Sequence, residues 1–199
     1  MSKIKNVTFL GYADAKESDD PFKDAFDVAK LCALSGRTIV NGGGPGIMKA
    51  STLGAKSVGG RAIGVTFFPK DIPAFEGRDE TNNVDELIVV GNYLERTLKL
   101  LELGQIFVIF NGGTGTISEF GMAWGLARLY FGHHKPLILY GKFWHEIIFA
   151  FTKGMYIRPE ERQVFKVVDK PQDVVIAINE FEKIMSLKSH NHKSPSFSF

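Results

Sequence analysis

Two residues of opposite charge and two glycine-rich runs are where chemistry can be sought in this sequence. Gly112-Gly113-Thr114-Gly115-Thr116-Ile117-Ser118-Glu119 follows five apolar residues, 106–110, and leads into an apolar-rich stretch. That order reads as strand, glycine turn, helix. The glycines remove Cβ atoms and permit a sharp turn, so backbone amides and the positive end of the helix can face an anion. Thr116 can add a hydroxyl. Gly42-Gly43-Gly44-Pro45-Gly46 is a second such turn, following Thr38-Ile39-Val40-Asn41. Neither is a Walker A loop, because no Gly-Lys-Ser/Thr follows, and the spacing of Gly42, Gly44 and Gly46 is wrong for a dinucleotide fingerprint. A mononucleotide or sugar phosphate fits better than NAD.

Glu119 admits two readings. Thr116-x-x-Glu119 matches a capping box, in which the threonine caps the helix and the glutamate reaches back to the cap amide. A phosphate at the same turn would occupy those amides and leave a carboxylate one turn into the helix, beside the bound molecule. Arg96 falls near the start of the helix after the fourth strand, where a positive charge meets the positive end of the macrodipole at a cost of roughly 0.3 to 1 kcal/mol. Pairing with Glu95 on the surface is one explanation; a substrate role at the same sheet edge as Glu119 is the other.

The elements that must position these residues follow from hydrophobic patterning. Strands are expected at 7–11, 38–41, 62–67, 87–90, 106–110, 136–140 and, at an edge, 165–168. Helices are expected from Asp20, as N-cap before Pro21, to Gly36; from Pro45 past Ala55; at 92–103; from the second glycine turn to about Tyr130; at 143–152; and at 174–187. Residues 69–83 read as a polar loop. Strands alternating with helices of this length predict a doubly wound, mostly parallel, Rossmann-like α/β sheet with helices on both faces, and both glycine turns at its carboxyl edge. Residues 1–187 form one domain on this reading, and residues 188–199, rich in serine, lysine and histidine, a loose tail.

Composition narrows the function classes. The 199 residues are 44% hydrophobic and 23% charged with a formal charge of +2, so the basic footprint of a nucleic-acid binder is missing. The single cysteine, Cys32, excludes an intrachain disulfide and a multi-cysteine metal site, and its apolar helical setting predicts a core position. The five histidines have no ligand spacing, so no metal is expected. The first apolar run ends at Asp14, too short for a membrane span, and the expected location is the cytoplasm. Residues 120–131 carry one charge and are apolar all round, which predicts packing against a second subunit, with cover from the final helix as the alternative.

Taken in order, Gly42-Gly43-Gly44-Pro45-Gly46-Ile47-Met48, Glu95-Arg96 and Gly112 to Glu119 resemble the LOG ("Lonely Guy") family, whose members are often labelled possible lysine decarboxylases or Rossmann-fold nucleotide-binding proteins. The resemblance spans about residues 7–140. It implies cleavage of the N-glycosidic bond of a nucleoside 5′-monophosphate, either a cytokinin ribotide or AMP, to free base and ribose 5-phosphate, without cofactor or metal, in a homodimer that binds neither nucleic acid nor membrane. It places phosphate on Gly113, Thr114, Gly115 and Thr116, sets Gly43 and Gly44 around the nucleotide, and makes Arg96 and Glu119 the catalytic pair, with Arg96 binding phosphate or stabilising the departing base. Three positions depart from the family pattern: Asn111 stands where proline is usual, Thr97 where lysine is usual, and Tyr12 where serine is usual. A different class of protein with a similar superfamily fold, the molybdenum-cofactor carriers, implies instead a non-catalytic nucleotide or cofactor binder.

Overall fold

A computed structural model describes residues 4–69, 78–130 and 134–188. The chain runs β1 (Asn6–Leu10), α1 (Asp20–Leu34), β2 (Thr38–Asn41), α2 (Ile47–Lys56), β3 (Ala62–Phe67), β4 (Glu86–Val90), α3 (Tyr93–Leu103), β5 (Ile106–Ile109), α4 (Thr114–Leu129), β6 (Leu137–Tyr140), α5 (Phe143–Gly154), a 3₁₀ turn (Pro159–Arg162), β7 (Phe165–Val168) and α6 (Pro171–Lys188). The strands form one seven-stranded sheet in the order β4-β3-β2-β1-β5-β6-β7, with parallel pairing throughout. This is the doubly wound, Rossmann-like architecture expected from the pattern. The expected tail and most of the expected polar loop lie outside the described residues.

Period-two alternation splits the core in two. Along β5, Ile106 and Val108 join the apolar cluster beneath α1, α2 and α6, while Phe107 and Ile109 join the one beneath α3, α4 and α5. All four are buried, as a strand covered on both faces requires. Cys32 is fully buried in the first cluster, where burial pushes its thiol up to about 12, so it is a core residue and not a reactive thiol. α6 packs on α1 and so belongs to the face opposite α4. It therefore does not cover α4.

The chain order steps outward from β1 to β4, then crosses back to place β5 on the other side of β1. That reversal makes the β1/β5 boundary the topological switch point, where open α/β sheets leave a crevice at their carboxyl edge.

Several helix starts differ from expectation; α6, expected from Val174, begins at Pro171. Asp19, not Asp20, is the N-cap of α1. Pro45 lies outside α2, which starts at Ile47 with Gly46 as N-cap at φ +60°. A Cβ on Gly46 would collide with the carbonyl oxygens of Tyr12 and Ala13, so the close approach of the turn after β1 sets this helix start. α4 starts at Thr114, two residues before the expected cap, because Ile117 N–H already donates to Gly113 O at 3.0 Å.

Candidate active site

A cleft of about 340 Å³ opens at the switch point. Its walls come from the ends of β1 (Gly11 to Asp14) and β2 (Gly42), from Met48 of α2, from Tyr93 and Arg96 of α3, and from the start of α4 (Gly113 to Thr116, with Glu119). The volume is adequate for a small ligand of nucleotide size. Six of the eight residues singled out in the sequence line it: Arg96, Gly113, Thr114, Gly115, Thr116 and Glu119. Gly43 and Gly44 do not. Their backbone is engaged elsewhere: Gly43 O accepts from Asp79 N–H at 3.0 Å, and Gly44 O from Asn82 Nδ2 at 2.8 Å. Gly42 is the member of that turn on the cleft wall.

Buried Asn41 fixes the first turn. Its Nδ2 donates to Met48 O, Ser51 Oγ and Thr52 Oγ1 at 3.1, 3.1 and 2.9 Å, and its Oδ1 accepts from Gly43 N–H at 2.9 Å. The side chain's donors and acceptor are thus satisfied between β2 and α2, which locks one to the other.

The second turn is built differently. A Cβ on Gly112 would overlap Thr116 Oγ1, so that glycine allows the buried threonine to fold against the turn. At Gly113 a Cβ would meet nothing within 4 Å, and its φ of −86° is one any residue adopts. The chain's own packing does not require glycine there. What the missing Cβ leaves is bare backbone facing the cleft at a helix N-terminus with no side-chain cap, a ready anion site.

Arg96 is not a surface residue. It is 6% exposed, donates from Nε to Val65 O at 3.0 Å and from Nη2 to Gly42 O at 3.1 Å, and brings Nη1 within 3.6 Å of Glu119 Oε1. Glu95 is not its partner. Glu95 instead caps α3 reciprocally with Asn92: Asn92 Oδ1 accepts from Glu95 N–H at 3.0 Å, while the Glu95 carboxylate accepts from Asn92 Nδ2 at 2.7 Å and Gly91 N–H at 2.8 Å. The capping box anticipated at Thr116/Glu119 is therefore absent, and one of the same logic occurs at Asn92/Glu95. Thr116 cannot cap because it lies inside the first turn of α4, and Glu119 in the second turn projects to Arg96.

Burial pushes the Glu119 carboxyl up to about 7, against the opposing pull of Arg96. The same burial lowers the Arg96 guanidinium, with Glu119 opposing, but a guanidinium stays charged at any physiological pH. A carboxylate poised near neutrality in a cleft, with a fixed cation beside it, is the arrangement of an acid–base or charge-stabilising group.

Patterning did not point to Tyr93, Met48 or Asp14 as cleft residues, whereas Gly42 belongs to the run it singled out. For Tyr93 a signal existed, since Asn92-x-x-Glu95 marks a helix start and puts Tyr93 at its first position, on the ligand edge. Among the described residues no three metal-ligating side chains cluster, and no helix is long and apolar enough to cross a membrane.

Fold and cleft together define a doubly wound α/β protein with a crevice at its switch point. The family model described as "Possible lysine decarboxylase" matches residues 48–178. A cytokinin riboside 5′-monophosphate phosphoribohydrolase of Mycobacterium tuberculosis is 31% identical over 160 residues, covering 77% of this chain and 82% of that protein. The chain belongs to this family, that of the LOG proteins. Solved structures similar in fold include the molybdenum cofactor binding protein of Rippkaea orientalis (TM-score 0.65, 22% identity, 92% of this chain and 98% of that one) and the Moco carrier protein of Chlamydomonas reinhardtii (TM-score 0.64, 22% identity, 91% and 99%).

Proposed function

We propose that the protein hydrolyses the N-glycosidic bond of a purine nucleoside 5′-monophosphate, releasing the free base and ribose 5-phosphate. The observation that carries this reading is the place of Glu119: a buried carboxylate on the cleft, five residues and so about 7 Å along the axis from the open start of α4. The 5′-phosphate sits on the amides of residues 113–116 and the Thr116 hydroxyl, which directs the ribose toward Glu119. As the C1′–N bond breaks, its electron pair leaves with the base and positive charge builds on the ribose ring. The ionised Glu119 stabilises that charge and accepts a proton from the water that bonds to C1′, while the base nitrogen takes up a proton.

Arg96 has a different part from the one the resemblance implies. Nε and Nη2 are held by the Val65 and Gly42 carbonyls and Nη1 lies toward Glu119, which fixes the guanidinium on the cleft wall beside the carboxylate. Arg96 is a positioning residue that orients Glu119 and favours its ionised form.

The M. tuberculosis relative's name supports the reaction class. A pyridoxal-dependent decarboxylase does not fit, because no lysine lines the cleft among the described residues. The assay is base release from purine nucleoside monophosphates, followed by chromatography. Glu119→Gln should lower the rate by at least about 10²-fold with the fold retained. Full activity in that variant refutes the proposal, and a ligand bound but returned unchanged by the wild type establishes a carrier instead.

The same reading includes a cytoplasmic homodimer. On α4, Ile117 (57% exposed), Gly121, Met122, Gly125 and Leu129 (64% exposed) form an apolar stripe at helical spacing. A Cβ at Gly121 or Gly125 would meet nothing within 4 Å, which leaves room for another helix to approach closely.

A further inference from the structure

One wall of the cleft is used neither by the start of α4 nor by the Arg96–Glu119 pair. It is the turn after β1, residues 11–14, which contributes Tyr12, Ala13 and Asp14. This turn is fixed on both sides. Tyr12 N–H donates to Asn111 O at 2.9 Å, and Tyr12 O accepts from Ile47 N–H at 3.0 Å, so the turn is tied to both glycine-rich runs. The Tyr12 side chain is 48% exposed at the cleft. Asp14 is exposed there too, and among the described residues its carboxylate has no hydrogen-bond or ion-pair partner.

The inference rests on the nucleotide reading above. With phosphate at the start of α4 and C1′ over Glu119, the turn after β1 is one of the walls left for the base, Gly42, Met48 and Tyr93 lining others. An aromatic ring offers a flat face on which any purine stacks. The selective group is Asp14, whose ionised carboxylate only accepts hydrogen bonds. Purines differ at the edge it would read. Guanine presents N1–H and its 2-amino group side by side, two donors that one carboxylate takes together. Hypoxanthine presents N1–H alone. Adenine presents an amino group next to the N1 lone pair, which repels a carboxylate oxygen, and N6 substitution keeps that lone pair while removing a donor. We propose that Asp14, with Tyr12 as the stacking surface, makes guanine the preferred base of this cleft.

Calorimetric titration of the Glu119→Gln protein with GMP, IMP and AMP measures base preference without turnover. GMP should bind about tenfold more tightly than AMP, with IMP between them, because a charge-assisted donor pair is gained and a lone-pair repulsion avoided. Adding Asp14→Asn places a donor beside an acceptor, which suits adenine, and the GMP-to-AMP ratio should fall by about tenfold or invert. Ribose 5-phosphate, titrated alongside, should bind both proteins equally, which separates a lost base contact from general damage. Equal affinity for GMP and AMP, no binding of either, or a ratio unmoved by Asp14→Asn overturns the inference. Wild-type base release is read separately. If GMP is preferred in an Asp14-dependent way but never cleaved, the hydrolase reading fails while the base assignment stands.

Discussion

Arg96 Nη2 occupies the space that a Cβ on residue 42 would need, and donates to the Gly42 carbonyl at 3.1 Å. Glycine at 42 therefore seats the guanidinium that faces Glu119, from a turn some fifty residues away in the chain. Gly42→Ala leaves the backbone free to keep its path but forces Arg96 off Val65 and Glu119. Base release should drop roughly 10²-fold, the cost typical of a misplaced supporting group, with far-UV circular dichroism unchanged. A variant at wild-type rate would show that Arg96 does not act through this seat.

The pH profile tests the roles within the pair. Glu119, pushed up to about 7 by burial, is ionised above that pH and protonated below it. If the carboxylate is the working form, kcat/KM rises with pH through an acid limb centred near 7. Arg96 pulls that value down, so Arg96→Met should move the limb to higher pH as well as slowing the reaction. An arginine that gripped phosphate would instead raise KM and leave the limb in place.

Much of this arrangement can be read from the sequence, and the exceptions have physical causes. The strands at Thr38–Asn41, Ala62–Phe67 and Phe165–Val168 follow from β-branched and aromatic runs bounded by turn residues, and the observed limits agree with the pattern. Both glycine turns are legible as ligand-edge turns because each sits between such a run and a helix. Which glycine does what is not legible. Gly42, Gly112 and Gly113 look alike in sequence, yet one clears Arg96, one clears Thr116 and one clears only open cleft, and these neighbours come from tertiary packing. Burial of Arg96 is hidden for the same reason. Its acceptors, Val65 O and Gly42 O, are backbone atoms of other elements, so no residue type announces them. The misassigned capping box shows a local motif yielding to packing: Glu119 satisfies Thr-x-x-Glu in sequence, but α4 begins two residues early and carries it past the cap.

Adjacent glycines in the second turn give opposite expectations. Gly113→Ala should leave the melting temperature unchanged, because its Cβ meets nothing, yet weaken ribose 5-phosphate binding by about tenfold by standing between the ligand and the amides. Gly112→Ala should destabilise by about 1 to 3 kcal/mol, since Thr116 must leave its buried position. Thermal melts and phosphate-ligand titrations on the two variants distinguish a ligand-driven glycine from a packing-driven one. Equal loss of stability in both would remove the argument that Gly113 serves the ligand.

The apolar stripe on α4 gives the last test. Phe120, Ala123 and Ala127 bury one side of this helix in the core, while Ile117, Gly121, Gly125 and Leu129 face outward at four-residue intervals. A solvent-facing helix surface would carry charges there; this one has none along the row, and its two glycines sacrifice helix propensity, about 1 kcal/mol each relative to alanine, with no gain to the isolated chain. Close contact with the same helix of a second copy accounts for both features. Gly125→Arg places a long cation in the middle of that contact without touching the core, so sedimentation equilibrium should find a dimer for the wild type and a monomer for the variant. A monomeric wild type, or a variant that stays dimeric, would assign the stripe some other role.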